Sequence, residues 1–97
     1  MQQYDICKLK HGEIVLILQH KAFSDFKTRM AAPLVPKSRG KLATSLNPIF
    51  RHANRDWVLA PQLMGPVPLA AIVETLGNLA SEDYAIKRAI DQLFLGI

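Results

Sequence analysis

Cysteine is nearly absent: Cys7 is the single one in 97 residues. A lone thiol makes no intrachain disulfide, and without a C-x-x-C or a Cys/His pair there is no zinc pattern. This usage fits a reducing cytoplasm. Long apolar runs are missing as well. The longest, Ile14–Leu18, falls far short of the roughly 20 residues that span a bilayer. The start, MQQYDICKLK, lacks a charged segment followed by an apolar one, so no secretory signal is read. The expectation is a cytoplasmic protein without a membrane segment. Aromatic residues number only seven, and none lies within the basic cluster Lys37, Arg39, Lys41. Nucleic-acid binders gather basic charge with aromatics for stacking. Here the positive residues are scattered through a chain of net charge +4, and solvated surface is the better reading.

What is present is ordinary globular composition, 49% apolar and 21% charged, in one domain's length. A chain this short buries about 60–70% of its unfolded surface, and a homodimer would relieve that shortage.

The first half reads as strands. Gln3–Leu9 alternates polar and apolar, His11-Gly12 supplies turn chemistry, and Ile14–Leu18 is a β-branched run suited to a buried strand, which together predict a hairpin. His20–Thr28 has no period and reads as a loop carrying Phe23 and Phe26. Arg29–Val35 reads as a third strand, with Pro33 pushing it to an edge. Pro36–Lys41 is a turn-rich connection. Asn47–Phe50 and Asp56–Leu59 predict a second hairpin across Ala53-Asn54-Arg55. Gly65–Pro68 reads as a break, and Leu69–Val73 as a last strand.

The end of the chain changes period. Ser81 is placed as N-cap, with Glu82 and Asp83 at the positive end of a helix dipole. Ala85, Ile86, Ala89, Ile90, Leu93 and Phe94 then form one apolar stripe, and Gly96 is a natural residue to close the helix. The predicted fold class is mainly β with a C-terminal helix.

No phosphate-binding, dinucleotide, zinc-protease or nucleophile-elbow motif occurs. His11, His20 and His52 fall in polar, turn-like segments and read as exposed loop residues, and no spacing proposes a metal site. Catalysis, metals and cofactors are not expected. Two features ask for more. Leu93–Ile97 is an apolar terminus, which is either tucked into the core or a contact surface. Phe23 and Phe26 sit among charged loop neighbours, either as a cover for the core or as interface anchors.

These residues carry a resemblance. The closing segment Ala85–Ile97 is similar to the terminal I-K-x-A-I-x-x-x-F-W-G-I of the CcdB family, and the two end together. Met1-Gln2 looks like the family's start, and Arg29-Met30 with Pro33-Leu34 resembles its R-M-x-x-P-L. Pro48, Trp57, Met64, Val67-Pro68, Ile72, Glu74 and Leu79 match in register without a gap. The resemblance implies a small SH3-like barrel or twisted antiparallel sheet with a minor second sheet, assembled as a symmetric homodimer. It implies a toxin that lodges in the dimerisation region of the A subunit of DNA gyrase and traps gyrase on cleaved DNA, by binding rather than catalysis. The family's poisoning residues align with Leu95, Gly96 and Ile97, where Leu95 stands in place of a tryptophan. It further implies an antitoxin of the CcdA type, whose disordered tail folds on the toxin at positions aligned with Ala22, Phe23, Asp91 and Phe94.

Two other readings stay open. One is a ribonuclease of the MazF or Kid type, with Arg29, His52 and Arg55 around an RNA groove. The other is a non-toxic relative that binds an antitoxin and acts in co-repression.

Overall fold

Both hairpins form, and their turns show why. In the computed structural model, which describes residues 1–40 and 42–97, strand β1 (Asp5–Leu9) pairs with β2 (Ile14–Ile17) through Ile6↔Leu16, Cys7↔Val15 and Lys8↔Ile14. Lys41, part of the expected Pro36–Lys41 connection and its basic cluster, lies outside the described residues. Gly12 takes φ +92° in the turn, a left-handed conformation that glycine enters without a Cβ penalty. β1 starts at Asp5 rather than Gln3 because Tyr4 itself sits at φ +68°, which breaks the extended backbone. That conformation is held from both sides: Tyr4 N–H donates to the Ile17 carbonyl at 2.6 Å, and Leu79 N–H donates to the Tyr4 carbonyl at 2.9 Å.

β3 spans Thr28–Pro36, and β4 (Ile49–His52) pairs with β5 (Arg55–Leu59) through His52↔Arg55. The loop is therefore two residues, Ala53-Asn54, shorter than the sequence suggests, and both have positive φ (+52° and +62°). That is the mirror-image turn whose twist matches a hairpin, and Asn accepts it readily.

The expectation that β3 is an edge strand is corrected. β3 is central, pairing with β2, β5 and β6 (Gly65–Pro68). Pro33 is tolerated because a strand residue's N–H and C=O point to one side. Its carbonyl accepts from Ala60 N–H at 3.0 Å, so its missing donor faces the gap between β5 and β6, filled by the 3-10 turn Pro61–Leu63. Gly65–Pro68, expected as a break, is instead that β6 strand; it pairs β3 alone, and on such an edge the prolines sacrifice no ladder bond on the open side. The last strand, β7, runs Ile72–Asn78, not Leu69–Val73; Leu69–Ala71 is a 3-10 turn.

The strand order is β4-β5-β3-β2-β1-β7, with β6 on β3. The sheet curls until its two ends meet: a Cβ added to Gly77 on β7 would lie 2.5 Å from Cε1 of His52 on β4. His52 is thus a half-buried strand residue closing the half-barrel, not an exposed loop histidine.

Helix α1 (Asp83–Leu95) packs across one face. Its buried residues Ile86 and Ala89 lie on the predicted stripe, and Ile86 joins Leu16, Leu34, Phe50, Leu59 and Leu79 in the main core. A second cluster, Cys7, Val15, Ile17 and Ala31, fills the opposite face of the strands. Phe94, expected in the buried stripe, is exposed, as are Leu95, Gly96 and Ile97 after it, so the end of the helix lies off the packed core. Ser81 is not the N-cap: a 3-10 turn, Ala80–Glu82, precedes the helix, and the Asn78 side-chain oxygen accepts from Ala80 N–H at 2.6 Å.

Tyr4 latches the helix start to the sheet. Its hydroxyl donates to Asp83 Oδ1 at 2.5 Å, and Lys87 Nζ lies 3.1 Å from Asp83 Oδ2. The Tyr4 hydroxyl first, then Lys87, hold the Asp83 carboxyl below its ordinary range, while burial first and Asp83 second push the Tyr4 phenol up. Asp83's contribution is present above about pH 4 and is lost as pH falls through its lowered native value. Tyr4's is present below about pH 10 and is lost as pH rises through its raised native value. The denaturant midpoint should therefore drop at both extremes in the wild type. In Tyr4→Phe both losses should shrink; parallel profiles would show that the latch carries no stability.

Candidate partner-binding surfaces

The β2–β3 loop is built by side chains rather than by packing. Gln19 accepts from Met30 N–H through Oε1 at 3.0 Å and donates through Nε2 to the Phe23 carbonyl at 2.6 Å, tying both ends together. His20 Nδ1 accepts from Ala22 N–H at 3.0 Å and so caps the 3-10 turn Lys21–Phe23. The Arg29 guanidinium donates to three carbonyls, of Ser24 (2.9 Å), Phe26 (2.5 Å) and Thr28 (2.9 Å). So held, the loop leaves Phe23 and Phe26 59% and 61% exposed. They do not cover the core.

Between this loop and α1 lies an apolar groove of about 340 Å³, lined by Leu18, His20, Phe23, Met30, Met64 and Ile90 among others. Of the four residues expected to meet an antitoxin, Phe23 lines the groove directly and Ala22 is exposed on the turn beside it. Phe94 follows Ile90 by four residues, on the same helix flank one turn on, whereas Asp91 is exposed on the helix's outer side and does not line this groove. The fold thus brings the loop pair to the helix that carries the other two. Sequence reasoning missed Met30 and Ile90, which line the groove only once loop and helix meet, and Gln19, whose amide ties the ends of the loop.

The second surface is the tip of α1. Gly96 takes φ +74° and its N–H donates to the Gln92 carbonyl at 3.0 Å, which ends the helix. Phe94, Leu95 and Ile97 are 67%, 66% and 81% exposed, and Ile97 shares a shallow groove with Tyr84, Arg88 and Asp91 along the helix's outer side. The apolar end is therefore a surface rather than part of the core.

Arg29, His52 and Arg55 are not gathered around a groove. Arg29's donors serve the loop carbonyls, His52 lies against Gly77, and the Arg55 guanidinium stacks 5.3 Å from the Trp57 ring centroid. A larger cleft, about 600 Å³, opens where β3 leaves β2 for β5; it is mostly apolar, with Glu13 and Arg55 its charged groups. Cys7 is buried, and burial pushes its thiol up against the opposing hydrogen bond it shares with Thr75, so it is a poor nucleophile at neutral pH. Among the described residues no three His, Cys, Asp or Glu side chains converge as metal ligands, and no helix is long and apolar enough to cross a membrane.

Comparison with known proteins agrees with this architecture. A solved structure titled "Crystal structure of Mtb toxin" superposes with a TM-score of 0.76 at 20% identity, covering 92% of this chain and 99% of that one. At that identity it speaks to the fold. No curated protein matches the chain in sequence. The family model described as "CcdB protein" matches residues 3–96. That match takes in the curled sheet, the loop that presents Phe23 and the closing helix, and the chain therefore belongs to the CcdB family, whose members are the toxins of toxin–antitoxin modules.

Proposed function

We propose that this protein is a toxin that works by binding the A subunit of DNA gyrase and holding gyrase on cleaved DNA. The reading assigns the target contact to Leu95, Gly96 and Ile97, and neutralisation to a CcdA-like antitoxin whose tail folds against Ala22, Phe23, Asp91 and Phe94. It takes the active form to be a homodimer, which adds buried surface that a chain of this size lacks alone.

The observation that carries the reading is the exposed apolar tip. Leaving Leu95 and Ile97 in water forgoes burial worth about 1.5–3 kcal/mol per side chain. A surface of that kind is retained where a partner covers it. The left-handed Gly96 directs Ile97 back beside the helix, so the tip is a shaped end rather than a frayed one. No activity of its own is required of the protein: trapping an enzyme's covalent intermediate needs only a tighter grip on that state than on the others.

The test is a cleavage assay with gyrase, plasmid and ATP, quenched with denaturant. Linear DNA should accumulate with the full chain and vanish when Leu95–Ile97 is deleted. No linear product, with protein shown folded and dimeric by sizing, would overturn the poison reading in favour of a non-toxic antitoxin-binding relative.

A further inference from the structure

Arg29 and Met30 belong to the segment that resembles the family's R-M-x-x-P-L, yet the proposed function uses Arg29 nowhere. Its position explains it. Every residue from His20 to Thr28 is exposed, so no side chain packed in the core holds the loop. Backbone hydrogen bonds cover its ends: Phe23 N–H to His20 O, Ser24 N–H to Lys21 O, and Leu69 N–H to Lys27 O. Gln19 Nε2 holds the Phe23 carbonyl, and Thr28 is paired with Pro68 in the sheet. The stretch between them, which flanks Phe23 and carries Phe26, is held by one group, the Arg29 guanidinium, on the carbonyls of Ser24, Phe26 and Thr28.

We propose that Arg29 is a positioning residue for partner binding: its planar fork fixes Ser24–Thr28 so that Phe23 and Phe26 stand preset for the antitoxin tail. The proposal rests on the antitoxin reading above. An exposed aromatic on a mobile loop loses affinity to the ordering it undergoes on binding, and a loop ordered beforehand does not. Lysine cannot replace the arginine here, since an ammonium is a point donor and does not match three carbonyls spread along a bend. The same geometry takes Arg29 out of the running as an RNA-binding cation.

The experiment pairs two measurements on wild type, Arg29→Gln and Arg29→Lys, each alone and combined with Phe23→Ala. Amide relaxation of the free protein reads the loop; a labelled peptide of the C-terminal tail of a CcdA-like antitoxin reads binding. Loop order parameters should stand near ~0.85 in wild type and fall below about 0.6 in both Arg29 variants, with the rest of the chain unchanged. Peptide affinity should drop about tenfold in each variant, and less than twofold once Phe23 is already alanine, because coupled residues are non-additive.

Three results would overturn the proposal: an Arg29→Gln loop as ordered as wild type, full affinity in Arg29→Lys, or a loss equally large without Phe23. If wild type itself fails to bind the peptide, the antitoxin reading falls, and the order parameters decide alone whether Arg29 presets the loop.

Discussion

Leu95→Trp is expected to lower the concentration of toxin needed for half-maximal gyrase cleavage by about thirtyfold. An indole at the centre of a contact is commonly worth about 2 kcal/mol over a smaller residue, which is about a thirtyfold change in affinity. It buries a large rigid surface and offers a ring face to a cation, where leucine offers aliphatic contact only. Nothing in the fold opposes the exchange. Leu95 is the last residue of α1, it faces solvent, and Gly96 closes the helix behind it. The unfolding temperature should stay put while potency rises, which separates contact from stability. Equal potency of the two proteins would show that this tip does not meet the target. A rise would also explain the natural leucine as an attenuated setting of the same contact.

Ile86→Ala should have the largest effect on stability of any truncation in the helix. Ile86 is 0% exposed and is the α1 residue fully buried with Leu16, Phe50, Leu59 and Leu79 in the main core, against which Ala85 and Ile90 pack only in part. Buried isoleucine-to-alanine changes cost about 2–5 kcal/mol, from lost burial and from the cavity left behind. For a domain of this size each kcal/mol lowers the unfolding midpoint by roughly 4–8 °C, so a middle value of about 3 predicts a fall of about 12–24 °C. Total stability of a small domain is about 5–15 kcal/mol, so the loss is a large share of it. Half-buried Ile90, on the groove side, should lose much less when cut to alanine. Calorimetry on both variants decides this. Similar shifts for the two would mean that the helix docks evenly along its length rather than through Ile86.

The elements that could be read in advance are those with an unbroken pattern. The α1 stripe keeps a helical period and Ile14–Leu18 is a continuous apolar run, and the structure forms both elements to within a few residues. What resisted reading lost its period for local reasons. β7 has register shifts against β1 between Ile6 and Cys7 and between Lys8 and Leu9, and its side chains are exposed apart from the half-buried Ile72 and Gly77. A strand with shifts and no buried face shows no alternation. β6 is half proline and still pairs, since its open side needs no donors. Pro33 reads as an edge signal but sits where a central strand changes partners, which only the topology reveals. At the site, Leu95–Ile97 and Phe23 stood out as apolar residues in places that are usually polar. Gln19 and Arg29 are ordinary polar residues in a sequence, and they matter only through the carbonyls that the folded loop turns toward them.

The two cores have a bearing on how β2 finds its place. Leu16 and Leu18 enter one, Val15 and Ile17 the other, so this segment is apolar on both faces. In a strand with one wet face, sliding by a single residue would turn every greasy side chain outward, and that penalty enforces alignment. Here a slide would exchange leucine for valine or isoleucine, oil for oil, and the penalty is missing. Alignment must instead come from fixed points at the strand's ends: the tight reversal at Gly12, the bond from Tyr4 to Ile17, and Gln19 clasping Met30. The most water-averse stretch of the chain is therefore the one least able to choose its own neighbours, and it is told where to lie by polar groups at its margins.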